Sequence, residues 1–502
     1  MLSSDNYFRK EISHETKIYY FVADYLKMMI GRKKEIQELE KLYGSKQAEL
    51  VAVYGRRRIG KTYLINQVFS DRFLFKHAGL APEEEGDSGK ETAKQLNQFY
   101  LNLLAYGLEE CKAPKNWLEA FFLLRRLITQ KDDGSRLVVF IDELPWMDTR
   151  GSDFIQALEG FWNSYGCAKD NLMIIVCGSA TSWMENNLIN NHGGLYGRVT
   201  YEIKLGPFDL FECEEFFKNR GIHLSRYDIT MAYMVFGGIP YYLNYIDAQY
   251  SLPQNIDNLF FKNNAKLKLE FDRLFRSTFT YSEKAKEIVK LLYTNSVGFT
   301  KKEIATRTKI SEGGTLTNYL NGLLASDFIV KYVPFGYSKR EVYYKLVDPF
   351  CLFYLNFCQS NVENENYFSE NISNSKMNAW AGFSFERVCF NHVDQMKFAL
   401  GISGVSSTCS AYYSQDDGVQ IDMVLARKDN VVNLCEMKFY SDLYKLDKEN
   451  FLKVNRRANA VKEKISKKAS IRNTLVTTYG TDKNEYSSVF TNIITLDDLF
   501  RF

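Results

Sequence analysis

The chain is poor in the residues that mark secreted, zinc-bound or membrane proteins. It has nine cysteines and five histidines in 502 residues. The cysteines form no C-x-x-C pair and no regular framework, which argues for reduced, buried thiols in a cytoplasmic protein. The histidines are scattered, so no zinc-like cluster is expected. No apolar run approaches the roughly 20 residues that a membrane span needs. The start lacks the layout of a secretory signal. Eight prolines argue against long disordered linkers. A net charge of +3 is too small to argue for nucleic acid.

What is present suggests a soluble protein of more than one domain. Apolar content of 45% and charged content of 25% are ordinary. Aromatics, at 15%, are abundant and favour large cores and stacking surfaces. The first 28 residues are polar and then aromatic-rich, with no clear period. They are expected to be a loose extension, or a stretch upstream of a true start at Met28 or Met29. The ordered pattern begins at Ile30.

The richest stretch is Gly55-Arg56-Arg57-Arg58-Ile59-Gly60-Lys61-Thr62. It matches the phosphate-loop pattern G-x-x-x-x-G-K-[ST] at every fixed position. The preceding run, 49–54, reads as a buried strand. The following run, Tyr63 to Phe69, reads as a helix. Glycines let backbone N–H groups curl around phosphate oxygens, and the helix N-terminus adds its dipole. Lys61 is expected to bridge the β- and γ-phosphates of ATP, and Thr62 to hold Mg²⁺. A second run, 136–141, is an apolar strand ending in Asp142 and Glu143. Asp142 is placed to bind Mg²⁺ through water and Glu143 to orient the attacking water. A third strand, 172–177, runs into Gly178-Ser179. The Ser179 hydroxyl either senses the γ-phosphate or caps the next helix.

Residues 30–205 alternate strands and amphipathic helices, with strands expected at 50–54, 74–77, 137–141 and 172–177. That predicts a three-layer α/β domain with a mostly parallel sheet. Residues 206–282 read as a small helical lid, broken at Gly237-Gly238-Ile239-Pro240. Pro240 either packs on the adenine or ends a helix. Residues 283–350 read as three helices and a hairpin around Gly336, a winged helix. Its third helix, 313–326, has no lysine or arginine, which favours packing over DNA contact. Residues 351–375 read as a linker and 376–502 as a last domain.

That last domain carries a second constellation. Glu386 lies on an expected helix. Asp422 lies on one expected strand, and Glu436 and Lys438 on another. Residues two apart on a strand share a face. Asp422 and Glu436 are expected to share one Mg²⁺, with Lys438 polarising water or the scissile phosphate. Surface charge on alternating strands is the rival reading. From Lys438 to Arg472 eleven basic residues stand against four acidic ones. Such a stripe either tracks a phosphate backbone or is a solvated helix face.

Taken as an ordered set, several of these features resemble the prokaryotic P-loop ATPases called archaeal-type, of the AAA+/STAND lineage. They are Ile30-Gly31-Arg32 with Glu35, the phosphate loop, Asp142-Glu143, Gly178-Ser179, Leu195-Tyr196-Gly197-Arg198 and the Gly237–Pro240 run. They span roughly residues 30–250. The resemblance implies an AAA+-like core, a helical lid and a winged helix packed against the core. It implies that Gly31 and Arg32 lie near the adenine and that Arg198 senses the γ-phosphate. The C-terminal part is similar to the PD-(D/E)XK restriction-endonuclease-like fold, with Glu386, Asp422, Glu436 and Lys438 at its motif positions. Ile421 stands where that family usually has proline. Two functions stay open. One is an ATP-hydrolysing switch that controls a Mg²⁺-dependent DNA nuclease. The other is an ATP-dependent regulator or scaffold whose nuclease-like domain binds nucleic acid or protein without cutting. A homo-oligomer or a protein partner fits either.

Overall fold

The computed structural model describes residues 30–82, 88–190, 193–195, 197–279, 282–359, 364–414 and 418–502. The expected N-terminal extension lies outside them, as do Asn191, His192 and Tyr196 of the loop before Arg198.

Three of the apolar runs form strands buried along their whole length: β1 (Glu49–Tyr54), β3 (Leu137–Asp142) and β4 (Leu172–Gly178). With β2 (Phe73–Ala78) and β5 (Tyr201–Lys204) they make one sheet in the order β2-β3-β4-β1-β5. Every pair in it is parallel. A parallel sheet needs cover on both faces. The side chains alternate accordingly. Val51 and Val53 join the core with α1 (Lys33–Tyr43) and α2 (Lys61–Phe69). Leu50 and Ala52 join the core with α3 (Ser88–Ala105), α4 (Trp117–Gln130) and α5 (Phe154–Ser164). The four expected strands are present, each longer by one or two residues. The fifth, β5, was not anticipated: at the sheet edge only Ile203 of its four residues is buried.

The next segment is helical, as expected. Asp209 and Glu212 form a reciprocal capping box that opens α6 (Leu210–Asn219). Ser225 caps α7 (Arg226–Phe236), which ends at Gly237. Gly238 must be glycine: with φ +66°, a Cβ there would sit 2.2 Å from the Phe208 carbonyl oxygen. Pro240 starts the single-turn α8 (Pro240–Leu243) at a position where a missing N–H costs nothing. Further on comes α9 (Glu270–Arg276). Then α10 (Ser282–Tyr293), α11 (Lys301–Thr308) and α12 (Gly314–Ala325) surround a small antiparallel sheet. Its strands are β6 (Phe299–Thr300), β7 (Ile329–Tyr332) and β8 (Tyr343–Leu346), in the order β6-β8-β7. Helix α12, free of basic residues, packs on the short helix Thr181–Met184 that follows β4.

The expected linker at 351–375 is instead structured. It holds most of α13 (Pro349–Phe357) and all of α14 (Tyr367–Asn371). Phe350, Phe353, Phe357 and Phe368 are buried in the same core as α7. A segment this apolar gains more from burial than it loses in chain entropy.

The last segment begins with α15 (Ser375–Asn391). Its five-stranded sheet runs β13-β12-β11-β10-β9. The strands are β9 (Ser407–Ser414), β10 (Val419–Arg427), β11 (Val431–Lys438), β12 (Ser470–Thr477) and β13 (Asn492–Ile494). The first three are antiparallel and the last three parallel. Helix α16 (Lys448–Lys462) covers the face opposite α15.

Candidate nucleotide site and a second carboxylate cluster

The phosphate loop connects β1 to α2. Gly55 has φ +140°, and a Cβ there would lie 2.3 Å from the Leu205 carbonyl oxygen. Gly60, with φ +90°, precedes α2 and faces open space, where a phosphate can approach backbone N–H groups. Lys61 is buried, and its Nζ donates to the carbonyls of Gly55 at 2.8 Å and Arg56 at 3.0 Å. Thr62 Oγ1 donates to Asp142 Oδ2 at 2.7 Å. Glu143 takes a left-handed conformation with φ 46° just past β3. Its Oε2 accepts the Ser179 hydroxyl at 2.7 Å and the Ser179 N–H at 3.1 Å.

A cavity of about 490 Å³ opens over this loop, within the range of small-molecule sites. Arg32, Arg57, Arg58, Ile59, Gly60, Lys61, Thr62, Tyr63, Pro240 and Glu143 line it. The rest of its wall is Ile30, Phe208, Phe216, Tyr241 and Asn244. Sequence reasoning missed these five, although Tyr241 directly follows Pro240. Arg32 donates to the Gly206 carbonyl at 2.6 Å and lies 5.0 Å from the Phe208 ring centre.

Six expected residues stand outside this lining; one is Asp142, buried at the end of β3 with its carboxylate on Thr62. Gly31 faces Glu212, whose Oε1 would meet a Cβ at 2.6 Å. Gly55 is pressed on Leu205, and Ser179 is held by Glu143. Arg198 is exposed and outside the cavity lining. Arg56 turns away altogether: its guanidinium is buried, pairs with Asp348 and lies 4.6 Å from the Phe328 ring centre. Burial weighs against its charge, but the Asp348 carboxylate outweighs it and raises the pKa. Arg58 keeps one side in the cavity. It pairs with buried Glu270 and lies 4.4 Å from the Tyr241 ring centre.

Residues 29–246 match the model of an ATPase domain known predominantly from Archaea. They form an archaeal-type ATPase domain, and the protein is an ATPase. An uncharacterised protein of Methanocaldococcus jannaschii is 25% identical over 368 residues, 72% of this chain and 76% of that protein. An uncharacterised ATP-binding protein of the same organism is 40% identical over 45 residues, 9% of this chain and 76% of that one. Among solved structures, the Walker-type ATPase of Pyrococcus abyssi covers 70% of this chain and 99% of its own, at 19% identity and a TM-score of 0.44. The Aeropyrum pernix ORC2 protein, in its ADPNP–ADP complexes, covers 65% and 93% at 12% identity and a TM-score of 0.38.

Beyond the ATPase domain, the second constellation comes together on the C-terminal sheet. Met423 on β10 pairs with Cys435 on β11. The ladder stops there, beside an irregularity in β10 between Ile421 and Val424, and Asp422 reaches β11 through its side chain. Lys438 shares a face with Glu436: its Nζ lies 2.7 Å from Glu436 Oε1. The other oxygen, Glu436 Oε2, pairs with Arg457 from α16. Asp422 Oδ2 accepts the Met437 N–H at 3.0 Å. Burial, together with the Glu436 and Glu386 carboxylates, pushes the Asp422 pKa up to about 7. Burial raises Glu386 as well. Among the described residues, no three or more His, Cys, Asp or Glu side chains are grouped to hold a metal ion. The basic stripe is partly neutralised at home. Arg457 turns inward to Glu436, and Lys453 pairs with Glu449 at 2.7 Å. No described helix is long and apolar enough to cross a membrane.

Proposed function

We propose that the protein is an ATP-driven switch whose C-terminal domain acts on nucleic acid. The observation that carries the switch is the convergence of Lys61, Thr62 and Glu143 on one cavity, with Asp142 bonded to Thr62 behind it. Lys61 now bonds to loop carbonyls and would turn to the β- and γ-phosphates. Thr62 and Asp142, already 2.7 Å apart, would hold Mg²⁺. That ion, when bound, supplies positive charge to the phosphate oxygens. Glu143 would orient the attacking water, and Ser179 fixes its carboxylate meanwhile. The aromatic wall of Phe208, Phe216 and Tyr241, with Pro240, suits a purine base.

Glu143→Gln tests the hydrolytic role. The amide keeps the shape and an acceptor for Ser179 but loses basicity. ATP affinity by calorimetry should hold, while phosphate release falls by about 10²-fold or more. Turnover at the wild-type rate would remove the role.

In this reading residues 283–350 are a winged helix used for packing, since α12 lies on the helix that follows β4. The C-terminal domain is nuclease-like, with Glu436 and Lys438 on one face and Asp422 and Glu386 beside them. Metal binding there requires Arg457 to release Glu436. That pairing favours the second reading, a domain that binds nucleic acid without cutting. Plasmid incubated with Mg²⁺ or Mn²⁺, with and without ATP, separates the two. Nicking that Asp422→Asn abolishes supports the nuclease; intact plasmid under every condition supports the binder.

A further inference from the structure

Strand β8 and the two residues after it touch both sites through residues three positions apart. Just past the strand Asp348 caps α13, accepting the Cys351 N–H at 2.7 Å, and pairs with Arg56 of the phosphate loop. Earlier in the strand Lys345 lines a small cavity with Glu386 and Asp422. Its Nζ lies 6.0 Å from the ring centre of Phe390, on the same helix as Glu386. In extended chain, three residues span only about 10 Å.

The loop end of this strand is sensitive to nucleotide. Lys61 Nζ bonds the carbonyl of Arg56 at 3.0 Å. A phosphate that draws Lys61 away leaves that carbonyl without its donor. The Arg56 side chain is already under-satisfied: Nε and Nη2 are buried without a hydrogen-bond partner among the described residues. A buried polar group left unpaired is costly, so the loop has reason to shift. Any shift of Arg56 is passed to Asp348, because a buried ion pair resists separation.

We infer that β8 carries the nucleotide state of the phosphate loop to the carboxylate cluster, with Lys345 as the positioning residue that delivers it. This rests on reading Glu386 and Asp422 as part of a functional site, and it names how that site is regulated. Lys345 brings a cation from β8 to the cavity that Glu386 and Asp422, both half-buried, also line. When β8 moves, the counter-charge of Glu386 and Asp422 moves with it. The second site is then composite: the small sheet supplies the cation and the C-terminal domain the acids.

The test is backbone hydrogen exchange on the full-length protein, with and without AMP-PNP and Mg²⁺, read by mass spectrometry. In the wild type, nucleotide should change exchange in β8 and in β10, by about tenfold at the affected amides. Asp348→Asn keeps a helix cap but removes the charge; both responses should disappear. Lys345→Met keeps length but removes the ammonium; β8 should still respond and β10 should not. A β10 that never responds in the wild type overturns the inference. So does a β10 that responds equally in Lys345→Met. If Asp348→Asn does not fold, the wild type and Lys345→Met still decide. Plasmid cleavage plays no part in the readout. A protein that never cuts DNA, yet passes the exchange test, loses the nuclease reading and keeps the coupling.

Discussion

Lys61→Ala is expected to weaken ATP binding by about 10²-fold or more, and to stop turnover with it. The ammonium is buried, and its two partners are backbone carbonyls that it can exchange for phosphate oxygens. A hydrogen bond to a charged group is worth about 1.5–3 kcal/mol, so losing two costs about 3–6 kcal/mol of binding. Each 1.4 kcal/mol is about a factor of ten. Alanine also leaves the Gly55 and Arg56 carbonyls without their donor, so thermal stability should fall slightly. The two effects separate: calorimetry reads the affinity and circular dichroism the fold. An unchanged dissociation constant in a folded variant would refute the assignment of this cavity.

How much was legible depends on how local each feature is. The phosphate loop was readable because its residues are contiguous and its backbone demands glycine at Gly55 and Gly60. The acid-tipped strand was readable because an apolar run buried on both faces leaves few places for Asp142. Lys438 lies beside Glu436, as residues two apart on a strand do, because strand period fixes the face. Partners distant in sequence were not readable. Arg56 and Asp348 are 292 residues apart, and nothing in the loop motif says that this arginine points away from phosphate. Glu270 was hidden for the same reason. Arg457 was counted as part of a basic stripe, because a helical pattern does not say which lysines and arginines find acids on a neighbouring strand. Arg198 was carried by a turn-rich setting and a family position; neither says where the loop points. Residues 351–375 read as a linker, though Phe353, Phe357 and Phe368 within them are buried in the core shared with α7 and α15.

Asp422→Asn is expected to abolish any metal-dependent cleavage while raising stability at neutral to alkaline pH. The side chain is half-buried and lies near other acids, and its amide equivalent keeps the acceptor oxygen for the Met437 N–H. What it loses is the charge. Its folded pKa of about 7 lies above the ordinary carboxylate value. A carboxyl raised in this way binds more protons folded than unfolded. Its stabilising contribution is therefore complete below about pH 4 and is lost as pH rises towards 7. The amide has no such loss. Thermal midpoints measured from pH 4 to 8 should cross: similar at the acid end, with the variant higher at pH 8. Mn²⁺ added without nucleotide should raise the wild-type midpoint at pH 8 and leave the variant unmoved, because a cation relieves the crowding that the amide has already removed. ATP turnover should be unchanged in both. A variant less stable than the wild type at pH 8 would show that Asp422 is a paired structural acid, and the cluster would lose its claim to hold a metal. The trade of stability for a charge crowded among other acids is the mark of a site kept for function.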